Sequence, residues 1–202
     1  MLINNINNKS KKLSKKILSN NINSLEEYFK RNKFDIVINA ISYGVNYADQ
    51  NREIAKSINN DLVIDYYYLC LLSGVKKYLH FGSSEEYGQM TGLINEETSF
   101  KPMSLYGQTK HQGVENLLNE YKKNNLNNIL ILRLFSIYGP FESKNKLIPY
   151  LLSAIKSNSQ ALMTEGLQQR NYLFIDDLLE VVNYFIDNVN KHHELIYNVG
   201  SK

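Results

Sequence analysis

Four short, nearly uninterrupted apolar blocks punctuate this chain: Asp35-Ile-Val-Ile-Asn39, Lys77-Tyr-Leu-His-Phe-Gly82, Asn128-Ile-Leu-Ile-Leu-Arg-Leu134 and Leu195-Ile-Tyr-Asn-Val199. None alternates apolar with polar residues, as a strand with one wet face must. Each therefore reads as a strand covered on both sides. Between them lie longer helical stretches, at about 51–73, 105–123, 147–156 and 175–189. A capped helix start is expected at Ser24, with Glu27 three residues on, and short strands at Ala161–Thr164 and Tyr172–Phe174. Strands alternating with helices build a parallel α/β sheet with helices on both faces. Ligands bind such sheets at the carboxyl ends of the strands. Asn39, Ser83 and Phe135-Ser136 are therefore expected to face one crevice.

Composition excludes several classes. Cys70 is the only cysteine, so neither an internal disulfide nor a thiolate metal cluster can form, and its apolar neighbours make it a buried structural thiol. His192-His193 has no partner at ligand spacing, and no metal is expected. No run of 18 apolar residues spans a membrane, and the N-terminus lacks the apolar core of a secretory signal. A reducing cytoplasm is the expected setting. The net charge is +3. The lysines between Lys9 and Lys16 carry no interleaved aromatics and read as a solvated arm, so no nucleic-acid partner is expected.

The chemistry concentrates in Ser83-Ser84-Glu85-Glu86-Tyr87-Gly88 and Tyr106-Gly-Gln-Thr-Lys110. A free phenol titrates near pH 10 and is a poor base at neutrality unless its anion is stabilised. Lys110, one helical turn on, shares a face with Tyr106, and a nearby cation favours the phenolate. A tuned phenol serves as general base for alcohol oxidation and general acid for ketone reduction. Ser83, leaving a strand end, is placed to hold the substrate oxygen. The bare Tyr/Lys spacing is weak evidence. With 15 tyrosines in 202 residues and lysine this common, such a pair arises by chance about once. The loop from 83 to 105 adds weight, since long loops inside compact domains are usually functional.

Taken together, the ordered motifs resemble the extended short-chain dehydrogenase/reductases, the nucleotide-sugar epimerase/dehydratase family. They are Asp35–Ala40, Asn59, Gly74–Gly88, Pro102–Lys110, Leu132–Pro140, Lys146–Pro149, Arg170–Asp177 and Tyr197–Gly200. The resemblance implies a single Rossmann-type domain over 1–202, incomplete at the N-terminus, with residues from about 141 to 170 contributing to a small substrate lobe. It implies Ser83, Tyr106 and Lys110 as catalytic residues. Asn39, Ala40, Ile41, Asn59, Tyr106 and Lys110 would meet NAD or NADP. Ser83, Ser84, Glu85, Ser136, Lys146, Leu147 and Arg170 would meet a nucleotide-sugar substrate, Arg170 at its diphosphate. A homodimer through the 51–73 and 105–123 helices is also implied.

The departures shape the expected reaction. No Gly-x-Gly-x-x-Gly phosphate loop precedes these motifs, and a fragment, a mis-assigned start or a degenerate product is expected, with Asp35–Asn39 left as an unpaired apolar edge. Ser136 stands where the family has asparagine, and Asn171 where it has aspartate. Ser84 replaces the acid common in glucose-type 4,6-dehydratases, while Glu85 resembles the mannose-type arrangement. The expected activity is nucleotide-sugar epimerisation or 4-keto reduction by hydride transfer. The alternatives are 4,6-dehydration and a non-catalytic remnant unable to bind NAD(P).

Overall fold

The computed structural model describes residues 22–46, 48–90, 92–124, 128–188, 191 and 194–201. The basic run Lys9–Lys16 and the pair His192-His193 lie outside them. Helix α1 (Ile22–Arg31) leads into β1 (Ile36–Asn39). A helical arm follows as α2 (Arg52–Lys56), a π turn (Ser57–Asp61) and α3 (Leu62–Leu72). Then come β2 (Lys77–Ser83), a 3-10 turn (Ser84–Glu86), α4 (Leu105–Asn124), β3 (Ile129–Leu134), β4 (Ser136–Tyr138), α5 (Leu147–Lys156), β5 (Tyr172–Phe174), α6 (Ile175–Asp187) and β6 (Ile196–Val199).

Strands β1, β2, β3 and β6 pair in that order, all parallel, as the apolar blocks predict. Their two faces bury separate cores. On one, Val63, Tyr67 and Cys70 of α3 and Val114 and Leu117 of α4 pack on Tyr78, Ile129 and Ile131. On the other, Leu178, Val182 and Phe185 of α6 cover Leu79, Leu130, Leu132 and Val199. Each such side chain contributes roughly 1.5–3 kcal/mol through burial. Cys70 is buried, and that burial pushes its thiol up to about 12. Among the described residues β1 is an edge strand, and Ile38 on it is 40% exposed.

Three sequence expectations change. Ala161–Thr164 is not a strand; Leu162 and Met163 stand out into solvent. The partner of β5 is instead β4, which follows β3 after a single residue. The first helix is already running at Ile22, so Ser24 lies inside it. The long helix at 51–73 is interrupted by its π turn, a feature that often marks functional sites. Here it presses on α4. A side chain at Gly113 would place its Cβ 2.1 Å from the Asn59 carbonyl oxygen, so only glycine admits this approach.

The turn after β2 is anchored from inside the sheet. Glu86 is fully buried and accepts from the Ser83 N–H at 2.7 Å and from Arg133 Nε at 3.0 Å. Arg133, equally buried on β3, also donates to the Tyr87 hydroxyl at 3.1 Å. Removing one partner of a buried pair strands the other's charge. Arg133→Met is expected to cost about 3–5 kcal/mol in a urea titration, and adding Glu86→Leu to recover a substantial part. A double variant no more stable than the single one would refute this account of the pair.

Candidate functional site

Where the strands end, side chains take over from the ladder. Asn39, the last residue of β1, donates from Nδ2 to the Tyr78 hydroxyl at 2.8 Å and accepts the Ile41 N–H at 3.1 Å. That turns residues 40–42 outward. Asn59, carried by the π turn, catches the same loop. Its Oδ1 accepts the Tyr43 N–H at 2.9 Å, and its Nδ2 donates to the Tyr43 carbonyl at 2.7 Å and to Thr109 Oγ1 at 2.9 Å.

At the end of β2, Ser83 caps the 3-10 turn, its Oγ accepting the Glu85 N–H at 3.2 Å. The start of α4 is built onto this turn. Ser104 Oγ accepts the Gly107 N–H at 3.0 Å and donates to Glu85 Oε2 at 3.2 Å. A Cβ at Gly107 would sit 2.4 Å from the Glu85 carbonyl oxygen. Tyr106 is thereby aimed at the strand ends, and its phenol lies near enough to the hydroxyls of Ser83 and Ser42 for both to favour its anion.

The electrostatics differ from the sequence expectation. Burial raises the Tyr106 pKa above its ordinary value of 10.0, with the nearby hydroxyls of Ser83 and Ser42 pulling the other way. The phenol therefore keeps its proton at neutral pH. Lys110 bonds elsewhere: its ammonium donates to the Phe81 carbonyl and lies 3.3 Å from His80 Nε2. Burial draws Lys110 down to about 8, against the opposing pull of the Glu86 carboxylate. Spacing put lysine and phenol on one helix face, but burial outweighs any charge stabilisation of the phenolate.

One cleft of roughly 1430 Å³ gathers Ala40, Ile41, Ser83, Ser84, Glu85, Tyr106, Lys110, Ser136, Lys146, Leu147 and Arg170. Arg170 Nη1 lies 3.7 Å from Glu85 Oε1, and Lys146 Nζ donates to the Val45 carbonyl at 3.4 Å. Asn39 and Asn59 are not on the cleft wall. Both are buried, and their side chains are consumed in shaping the 40–44 loop. Ser42, His80 and Ser104 escaped the sequence reading. Ser104 had a local signal, a serine one residue before a helix. Ser42 and His80 had none, because their partners are distant in sequence.

The model of the family described as NAD dependent epimerase/dehydratase matches residues 5–200. A dTDP-D-glucose 4,6-dehydratase of Dictyostelium discoideum is 29% identical over 222 residues, covering 98% of this chain and 49% of that protein. An uncharacterized UDP-glucose epimerase of Bacillus subtilis is 30% identical over 132 residues, 65% of this chain and 41% of the relative. The crystal structure of UDP-glucuronic acid 4-epimerase from Bacillus cereus in complex with NAD superimposes with a TM-score of 0.77 at 22% identity, over 88% of this chain and 57% of that one. At that identity the likeness establishes the fold. The chain spans about half the length of the curated relatives it matches. No helix among the described residues is long and apolar enough to cross a membrane.

The buried lysine links stability to pH. Its ordinary value is 10.5 and its folded value about 8. Below pH 8 it is charged in both states and the burial penalty is full. Between about pH 8 and 10.5 only the unfolded chain holds the proton, so stability rises with pH. From pH 7 to 10, wild type is expected to gain about 2–3 kcal/mol relative to Lys110→Met. Denaturant titration at the two pH values measures this, and a constant gap would mean that Lys110 is not desolvated.

Proposed function

Since the chain belongs to the NAD dependent epimerase/dehydratase family, we propose that it carries the catalytic floor of an NAD- or NADP-dependent enzyme acting on a nucleotide sugar. The observation behind this reading is that Ser42, Ser83 and Tyr106 line one cleft with Lys110 and Arg170, the phenol beside the two hydroxyls. The residues fit a dinucleotide. The outward turn at Ala40 and Ile41, held by Asn39 and Asn59, borders the same cleft as Tyr106 and Lys110. A bound nicotinamide would supply or accept the hydride.

The chain's own residues account for the proton. Tyr106 carries its proton at neutral pH and is suited to give it to a ketone oxygen, with Ser83 holding that oxygen from the opposite side. Taking a proton from a carbinol requires added positive charge beside the phenol. These properties suit 4-keto reduction directly, while epimerisation at the sugar, which begins by oxidising a carbinol, would draw that charge from a bound oxidised nicotinamide. Arg170, exposed at the rim, would bind the diphosphate, since a guanidinium matches phosphate oxygens in a bidentate fork. Ser84, Ser136, Lys146 and Leu147 would contact the rest of the substrate, with residues from about 141 to 170 forming part of a substrate lobe.

A second reading, 4,6-dehydration, is favoured by Glu85. Its carboxylate lines the same cleft, is held by Ser104 and Arg170, and is placed to take a proton from the carbon beside a sugar ketone. Relatives with that name support it as well. A homodimer through the 52–72 and 105–124 helices is part of the proposal. Helix α3 is apolar nearly all round, and Leu72 at its end is 42% exposed.

Calorimetric titration of the chain with NADH and NADPH tests the cofactor. Saturable binding of one of them, weakened about tenfold or more by Lys110→Met, is expected. A folded chain that binds neither would end the reading for this polypeptide. Given binding, Tyr106→Phe is expected to lower turnover about 10²–10⁴-fold on the best UDP- or dTDP-hexose, with cofactor affinity kept. Near-full turnover in that variant would exclude Tyr106 as the proton carrier. Nuclear magnetic resonance of the product separates an epimer or alcohol from a 4-keto-6-deoxy sugar, and only the last would depend on Glu85.

A further inference from the structure

His80 occupies the centre of β2, opposite Asn39 of β1 and Ile131 of β3, and is fully buried. Its ring stacks along Tyr78, with centroids 6.4 Å apart and planes within 19°. It lies under α4, where Nε2 meets Lys110 Nζ at 3.3 Å. The other ring nitrogen, Nδ1, is buried with no hydrogen-bond partner. An imidazole inside a sheet with one nitrogen unpaired is a poor choice for packing, because an apolar residue of that size would leave nothing unsatisfied.

We propose that His80 is a positioning residue for Lys110, its Nε2 lone pair and the Phe81 carbonyl forming a two-acceptor cradle that holds the ammonium beneath the cleft. The inference rests on the reading of Lys110 as the cofactor- and proton-handling lysine. The β1–β2 ladder ends at Asn39 opposite His80, so the Phe81 carbonyl is the first beyond it, and Lys110 takes that carbonyl. His80 adds an acceptor from the strand's own face. An ammonium has three hydrogens and no lone pair, so it can only donate. The imidazole must therefore be neutral, with its proton on Nδ1.

Burial and the Lys110 charge hold His80 well below its ordinary pKa, in agreement with a neutral ring. The titratable groups facing Lys110 are His80 from β2, Glu86 from the 3-10 turn, and Tyr106 on its own helix. Glu86 is already engaged by Arg133 and the Ser83 N–H. Asn59 and Thr109, on the neighbouring π turn and helix, are neutral and bonded to each other. His80 is thus the side chain among these whose loss removes an acceptor from the ammonium directly.

Nuclear magnetic resonance on the 202-residue chain tests this without turnover. With ¹⁵N-histidine, His80 is expected as the neutral Nδ1–H tautomer at pH 7, its Nε2 unprotonated. An Nε2–H tautomer or an imidazolium would overturn the proposal. With ¹³Cε-lysine, Lys110 is expected to titrate lower by about half a pH unit or more in His80→Phe, since an ammonium with one fewer acceptor is less favoured. His80→Gln, which returns an acceptor to the Nε2 position, is expected to restore most of the wild-type midpoint. An unchanged midpoint in folded His80→Phe would also overturn it; should that variant not fold, the wild-type tautomer decides. NADH calorimetry separates the two claims. A chain with the expected tautomer and titration that binds no dinucleotide would retain the cradle and lose the proposed purpose of Lys110.

Discussion

The buried Glu86–Arg133 pair governs the geometry of the cleft. Arg133 extends from β3, passes over the Phe100 ring with its guanidinium carbon 4.5 Å from the centroid, and bonds Glu86 and the Tyr87 hydroxyl. Tyr87 donates onward to Asn198 of β6 at 2.8 Å. One arginine thus connects the turn after β2, the loop beyond it and two further strands. Such a pair is a weak source of net stability, since desolvation offsets much of its attraction. Its value lies in direction. With both Glu86 oxygens committed, Ser83 can leave the strand in one orientation, and its hydroxyl meets Tyr106.

From that fixed turn the geometry passes to α4. Ser104, Gly107 and Glu85 join the helix start to the turn, and Gly113 seats the same helix against the π turn that carries Asn59. Between these two contacts lie Tyr106 and Lys110. The helix is therefore clamped on both sides of these two residues, and their different surroundings follow. Tyr106 lies at the strand ends, among hydroxyls. Lys110, one turn deeper, bonds the Phe81 carbonyl and meets the His80 ring of β2. Helical spacing decides that they share a face, and depth decides that they do not share a bond.

The sheet was legible because burial on both faces leaves a plain mark, an apolar block too short for a helix and without alternation. The crevice was legible for the same reason, since parallel strands put Asn39, Ser83 and Ser136 at one end. Other features depend on contacts that local sequence does not carry. Ala161-Leu162-Met163 has strand-like residues, yet among the described residues no strand pairs with them. Ser136–Tyr138 reads as a continuation of β3, and only its pairing with Tyr172–Phe174 reveals a second sheet. The depth of Asn39 and Asn59 depends on packing that spacing does not carry: both lie beside the cleft but behind its wall. His80 reaches Lys110 across thirty positions, a separation no local pattern encodes.

The two sides of the cleft differ in kind. Its floor, made of Ser83, Tyr106 and Lys110, is buried or nearly so, and Ser83 and Lys110 are tied by hydrogen bonds within the protein. Its outer wall is open: Leu162 is 80% exposed, Met163 55%, and the Arg170 side chain 55%. A buried, bonded floor cannot rearrange for each ligand without breaking several hydrogen bonds together, so it fixes the kind of proton transfer the cleft can support. An exposed wall held mainly by backbone imposes no such cost on exchange of its side chains. Under the proposed function, substrate choice would therefore belong to the segment from Lys146 to Arg170, and reaction type to Glu85 and the Tyr106 floor beneath it.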